Sequence, residues 1–202
     1  MKRYIMILLL TVLANQLFAQ DTKKEIVKTS FPVLKEVFYV LKSNPEIKHG
    51  EYEKTSRGKL VCKGQYEQGK KSGIWEYYDV ENNITHKVDY DNYNLVFPKA
   101  ELPNGAQVLG GYAQLYRMFM YTMMYPADAR RMGTQGKVKV RFTVDVQGNL
   151  KNFKVTSGLG HGLDEEAIRT IKECKMEWFP ALDADGNPVE SEIELPLTFQ
   201  LG

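Results

Sequence analysis

The chain has 202 residues, with 27 Lys and Arg against 25 Asp and Glu, for a formal net charge of +2. That length holds one domain or two small ones. A balance so close to neutral excludes nucleic acid as a partner, because phosphate binding needs a basic excess gathered on one surface.

The N-terminus begins with Lys2-Arg3, followed by the apolar run Tyr4 to Leu13 and then Asn15-Gln16-Leu17-Phe18-Ala19. A basic start, a short apolar core and a small residue before the cut predict a secretory signal peptide over residues 1–19. A retained membrane anchor is the alternative. The run is ten residues long, against about 20 needed to span a bilayer, which favours cleavage and leaves no stable membrane span in the mature chain. No cysteine lies in this segment, so the lipoprotein route is not indicated. Removing Lys2 and Arg3 leaves 25 basic against 25 acidic residues. The expected location is the periplasm, or the periplasmic face of the inner membrane if the anchor is kept.

The two cysteines, Cys62 and Cys174, lie far apart in sequence. An oxidising compartment permits a bridge between them; two separate, partly buried thiols are the other reading.

Residues 20–35 are polar and read as a loose lead-in. Residues 36–93 change character. A strand is expected over Val37 to Leu41, ending at Ser43-Asn44-Pro45. A weak repeat follows, in which Gly50-Glu51-Tyr52 recurs as Gly64-Gln65-Tyr66 and as Gly73-Ile74-Trp75. Glycine, then an aromatic two residues on, then a glycine turn is the rhythm of short antiparallel hairpins. Gly69-Lys70-Lys71-Ser72-Gly73-Ile74-Trp75-Glu76-Tyr77-Tyr78 resembles the MORN-type hairpin repeat in its bacterial variant. In the second copy Glu81-Asn82-Asn83 stands where a turn glycine belongs. Such units need neighbours to cover their open faces.

Residues 94–107, with Pro98 and Pro103, read as a linker. Leu115, Met118, Phe119 and Met123 then fall at helical spacing, and Pro126 ends that helix. Its methionines (Met118, Met120, Met123, Met124) read as core filling.

Lys137 to Asp145 alternates, with Val138, Val140, Phe142 and Val144 on one face. Gly148-Asn149 makes a turn, and Lys151 to Ser157 returns with Phe153 and Val155 inward. Leu163, Ala167, Ile168, Ile171 and Cys174 line one side of a helix. Glu190 to Leu201 alternates again, with Ile193, Leu195, Leu197, Phe199 and Leu201 together. The fold class is α+β: a two-layer sandwich of helix, β-hairpin, helix and edge strand, preceded by an antiparallel β hairpin-repeat domain.

From about residue 108 to 202 the pattern resembles the C-terminal domain of the TonB family. The resemblance is carried by Gly110-Gly111, Tyr125-Pro126 with Ala129, and the strand from Gly136 to Val144. It continues through Gly148, Ser157, Leu163-Asp164, Trp178 with Pro180-Ala181, Gly186 with Pro188-Val189, and Pro196-Leu197 with Phe199. It implies a binding domain rather than an enzyme, one that takes a short extended peptide of an outer-membrane transporter alongside its last strand. Where the best-known members hold a glutamine-proline pair before Tyr-Pro, this chain has Thr122-Met123. The energy-transducing members also keep an uncleaved membrane helix and a long proline-rich arm, neither of which is expected here.

The residues of the last strand suit that role. Proline cannot donate to a ladder, so Pro196 marks an edge strand, and an edge accepts an added strand. The expected partner-binding edge is Glu190, Glu192, Ile193, Glu194, Leu195, Pro196, Leu197, Thr198 and Phe199. Its glutamates lie opposite the apolar face, where they discriminate partners by charge or simply protect the edge from aggregation.

No catalytic constellation or cofactor motif stands out. His49, His86 and His161 are scattered without ligand spacing. Asp183-Ala184-Asp185-Gly186-Asn187 lacks the register of a calcium loop and reads as a β-turn. Gly158-Leu159-Gly160-His161-Gly162 precedes a helix, but Asp164-Glu165-Glu166 would repel an anion there. Ser157 and His161 are close in sequence without a nucleophile motif around them. Three functions fit: a periplasmic adaptor that binds an outer-membrane transporter or other envelope protein, a membrane-anchored short-armed energy transducer, and a structural module forming a homodimer through the same edge.

Overall fold

The computed structural model describes residues 21–30, 33–97 and 105–201. The expected signal segment, residues 1–19, lies outside the described residues, as do Pro98 and Pro103 of the expected linker. Two units result, one reaching to Tyr77 and including Lys87–Val96, the other made of Tyr78–His86 and the chain from Phe97 onward.

The first contains an antiparallel sheet of seven strands in chain order: β1 Thr22–Ser30, β2 Val33–Leu41, β3 Asn44–Ser56, β4 Lys59–Glu67, β5 Lys70–Tyr78, β6 Ile84–Asp89 and β7 Asn94–Phe97. Its repeat has a packing cause. Tyr52 lies opposite Gly64, and Tyr66 opposite Gly50. The Trp75 indole is fully buried and occupies the space above Gly64, where a Cβ would sit 2.4 Å from the ring. Gly64 thus leaves room for a ring from a neighbouring strand and Gly50 faces the Tyr39 side chain, whereas Gly73 has open space at its Cβ position and a positive φ of 61°. The rings continue as a row: Tyr52 to Trp75 at 5.3 Å, Tyr66 to Trp75 at 5.2 Å, Trp75 to Tyr90 at 5.9 Å. Two lysines sit over it, Lys48 Nζ at 4.9 Å from Tyr52 and Lys71 Nζ at 4.0 Å from Trp75, so their charges are held by ring quadrupoles.

The lead-in is not loose. Thr22–Ser30 is a full strand in unbroken register with β2, from Thr22 opposite Leu41 to Ser30 opposite Val33. Its apolar residues, Ile26 and Val27, are adjacent and both about half exposed, so no alternation marks it. Backbone pairing and β-branched residues suffice to hold it. The following strand accordingly begins at Val33 rather than near Val37, and Asn44-Pro45 opens β3 instead of closing a loop. Where the repeat lacks its turn glycine, Asn82 takes the left-handed conformation at φ 72°. The Asp79 carboxylate there accepts the N–H groups of Glu81 and Asn83 at 2.8 and 2.9 Å.

The second unit has α1 Gly111–Thr122, the single turn α2 Ala127–Arg131, the hairpin β9 Gly136–Val144 and β10 Leu150–Ser157, α3 Leu163–Glu173, and a last strand. In the numbering used here, β8 is Gln107–Val108, β11 Trp178–Phe179, β12 Ala181–Leu182, β13 Pro188–Val189 and β14 Ser191–Phe199. The main sheet has the order β10-β9-β14. Val138, Val140, Phe142 and Val144 are buried with Leu195, Leu197 and Phe199, and the helices supply Leu115, Met118, Phe119, Leu163, Ala167 and Ile171 to the core. The methionines divide. Met118 is core, but Met120 is 76% and Met124 57% exposed, because the buried face of α1 runs through Gln114, Leu115, Met118, Phe119 and Thr122. Cys62 is buried in the first unit and Cys174 in the second, each as a thiol; the Cys174 Sγ donates to the Ile171 carbonyl at 3.3 Å.

Gly64→Ala should destabilise the first unit by about 3 kcal/mol, since the added methyl must displace a fully packed indole. Chemical denaturation followed by Trp75 fluorescence measures it, and an unchanged midpoint would refute this account of the repeat.

Candidate functional site

The candidate site is the outer edge of β14. Its register against β9 is continuous, with Leu195 opposite Val140, Pro196 opposite Lys139 and Leu197 opposite Val138. The direction of the backbone groups follows from one contact. The Lys139 carbonyl oxygen lies 3.3 Å from the Thr156 hydroxyl oxygen of β10, so the backbone of Lys139 faces β10. Lys139 and Pro196 are therefore a non-hydrogen-bonded pair, and the proline nitrogen points away from β9. Alternation then sends the N–H and C=O groups of Glu192, Glu194 and Thr198 to the open side, together with the Pro196 carbonyl. Those of Ile193, Leu195, Leu197 and Phe199 close the ladder. Proline thus costs no ladder bond here; it removes one donor from the middle of the open row.

The same alternation puts the glutamates on the solvent face, over a basic row on β9. Arg141 pairs with Glu194 at 3.2 Å and Glu192 at 4.0 Å, and Lys139 with Glu194 at 3.9 Å. Lys151 of β10 pairs with Glu190. The Thr156 hydroxyl donates to Glu194 at 2.9 Å. That bond, then the Arg141 guanidinium, holds the Glu194 carboxyl below its usual range. These carboxylates are committed to cross-strand contacts, which leaves the backbone edge as the open feature of β14.

One end of β14 abuts the Tyr125-Pro126 corner. The Phe199 ring meets Tyr125 edge-on at 6.0 Å, and the Tyr125 hydroxyl donates to the Thr134 carbonyl. A half-buried clasp holds the chain just before this corner. Glu166 accepts the Met124 N–H at 2.6 Å and two bonds from Arg169, at 2.6 and 2.7 Å. Arg169 also donates to the Thr122 carbonyl at 2.7 Å. The end of α1 is satisfied by a side-chain pair from α3. Burial pushes the Glu166 carboxyl up, but the hydrogen bonds from Arg169 and Met124 outweigh it and leave it lowered. Thr122-Met123, where the TonB resemblance places a partner-touching pair, is part of this clasped segment. A cavity of about 360 Å³ lies beside Tyr125, Ala127, Arg130 and Arg131.

The other residues raised by the sequence have structural engagements. Asp164 accepts the N–H groups of Leu159 and Gly160 at 2.8 and 3.3 Å, so the glycine loop is occupied by the chain's own carboxylate. Asp183 accepts from Asp185 and Asn187 at 3.0 and 2.8 Å, and makes the β12–β13 turn. His49 accepts the Gln68 N–H at 3.3 Å, and His161 meets Thr134 at 3.0 Å. His86 meets Gln107 at 3.1 Å, and burial lowers its pKa. No group of three or more His, Cys, Asp and Glu among the described residues could hold a metal ion. The Glu166–Arg169 clasp escaped sequence reading; the i, i+3 spacing of Glu166 and Arg169 marks a pair, but not what it reaches.

Residues 122–201 match the family described as Gram-negative bacterial TonB protein C-terminal, so this stretch is a TonB C-terminal domain. Among solved structures, the chain is similar to the solution structure of the Helicobacter pylori TonB C-terminal domain at 21% identity. The match covers 43% of this chain and 88% of that one, with a TM-score of 0.33. No curated protein matches the sequence. No helix among the described residues is long and apolar enough to cross a membrane.

The Glu194 carboxyl should titrate below its ordinary value of 4.5, and Thr156→Val should move it back up. A folded value below the unfolded one means that its contribution to stability is present above about pH 4.5 and lost as pH falls through the folded value. Carboxyl-detected NMR titration checks both; a midpoint unmoved by the substitution would remove Thr156 as the cause.

Proposed function

We propose that this protein acts in the periplasm as a TonB-type adaptor. Its C-terminal domain takes an extended peptide segment of an outer-membrane transporter, or of another envelope protein, by strand addition along β14. The observation that carries this reading is the open edge of β14, whose outward N–H and C=O groups belong to a domain matched by the TonB C-terminal family. Main-chain hydrogen bonds supply affinity in that mode of recognition, and alternate side chains supply selectivity. The interruption at Pro196 divides the edge into two short stretches, which suits a short peptide and disfavours indefinite strand stacking. The resemblance of the first unit to MORN-type repeats supports a second interaction surface or spacer there.

Thr198→Pro should test the edge cleanly. It removes an outward donor and no ladder bond, so stability should change by about 1 kcal/mol or less, while transporter N-terminal peptides should bind about tenfold more weakly. Leu195→Pro is unsuited, because it breaks the ladder and empties a core position that is 2% exposed. Amide shifts of β14 on adding such peptides to labelled protein provide the readout, and their absence would sink the proposal.

Export should leave a mature chain beginning at Gln20. Mass spectrometry of the exported protein decides this, and an intact Met1 start would instead support the membrane-anchored reading.

A further inference from the structure

A second open edge lies at the other end of the chain. β1 is the first strand of its sheet, and nothing among the described residues pairs with its outer side. The Lys42 N–H donates to the Asp21 carbonyl at 2.8 Å, and Leu34 N–H donates to the Thr29 hydroxyl at 3.2 Å. The odd-numbered residues of β1 therefore face β2, and alternation turns the N–H and C=O groups of Lys24, Ile26 and Lys28 outward. No proline interrupts this row.

The side chains of Lys24, Ile26 and Lys28 share one face of the sheet. In register they stand opposite Tyr39, Val37 and Lys35. Lys28 and Lys35 are like charges directly across from each other, an arrangement that costs stability. Neither they nor Lys24 belong to any ion pair formed among the described residues of the sheet. Ile26 between them is 51% exposed. Lys24 and Lys35 line an open cleft of about 740 Å³ on this face, with Val37, Tyr39 and Ile74; its carboxylates, Glu51, Glu53 and Glu76, stand on β3 and β5 rather than on the β1 edge. Donors at an edge, an exposed apolar residue and three lysines without carboxylate partners among the described residues define what would complement them.

We propose that β1 is a strand-addition site for an extended acidic segment of another protein. An added strand places alternate residues on the cleft face, so the fitting pattern is Glu-x-apolar-x-Glu. The two acids then lie beside Lys28 and Lys24, and the apolar residue covers Ile26. A second copy of β1 is disfavoured, because its own cleft-face lysines would meet these. The site is independent of β14.

The test uses the whole protein and two capped synthetic peptides, Thr-Glu-Thr-Val-Thr-Glu-Thr and the same sequence with Lys for Glu. The acidic peptide should shift the amides of Lys24, Ile26 and Lys28 saturably, and bind about tenfold more tightly than the basic one. Ile26→Pro removes an outward donor without breaking the β1–β2 ladder, and should abolish binding while the amides of β3 to β5 stay in place. Lys24→Glu with Lys28→Glu should reverse the preference between peptides, and Thr198→Pro should leave it unchanged. Equal binding of the two peptides, binding that survives Ile26→Pro, or loss of binding in Thr198→Pro would each overturn the proposal. So would a concentration-dependent dimer in sedimentation that Ile26→Pro abolishes.

Discussion

The constraint on which the C-terminal sheet depends is that the Pro196 nitrogen has no hydrogen to give. With Pro196 opposite Lys139, that nitrogen faces solvent and the ladder loses nothing. A slip of one residue would turn it into the ladder and carry Glu192 and Glu194 into the core, while Leu195 and Leu197 moved to the surface. Either fault costs several kcal/mol, through a lost bond and buried charge on one side and exposed apolar area on the other. The proline and the alternation therefore enforce one register, and that register decides which backbone groups are left open.

Side-chain face and backbone direction are locked together in a strand, so the two open edges can be compared directly. On β14 the outward residues carry glutamates that are already bound to Arg141 and Lys139, and the donor row is broken by proline. On β1 the outward residues carry lysines without such partners among the described residues, and the donor row is continuous. The two edges are chemically opposite in what they leave unsatisfied: backbone alone on one, backbone and charge on the other.

Much of this was legible in the sequence. The alternation over Lys137 to Asp145 and Glu190 to Leu201, the helical spacing over Leu163 to Cys174 and the glycine–aromatic rhythm each reflect a local period that packing reinforced. Failures came where no period exists. Ile26 and Val27 are neighbours on an edge strand exposed on both faces, so hydrophobicity could not announce it. Met120 and Met124 carry the composition of a core residue without its position. The five-residue turns Asp79–Asn83, Asp145–Asn149 and Asp183–Asn187 share one device, in which an aspartate accepts N–H groups two and four residues on. The common Asp-x-x-x-Asn spacing was visible, and its meaning lay in hydrogen bonds that spacing alone does not name.

The sequence by itself determined the order of the hairpin, helix and last strand over residues 137–201, the buried face of those strands and the edge character that Pro196 imposes, because these follow from periods of two and 3.6 and from the chemistry of a single residue. Tertiary structure decided the rest. It set which way the backbone of β1 and β14 points, gave Glu194 to Arg141 and Thr156, and tied Glu166 and Arg169 to the end of α1. Those outcomes depend on distances between residues remote in sequence, and such distances exist only once the chain has packed.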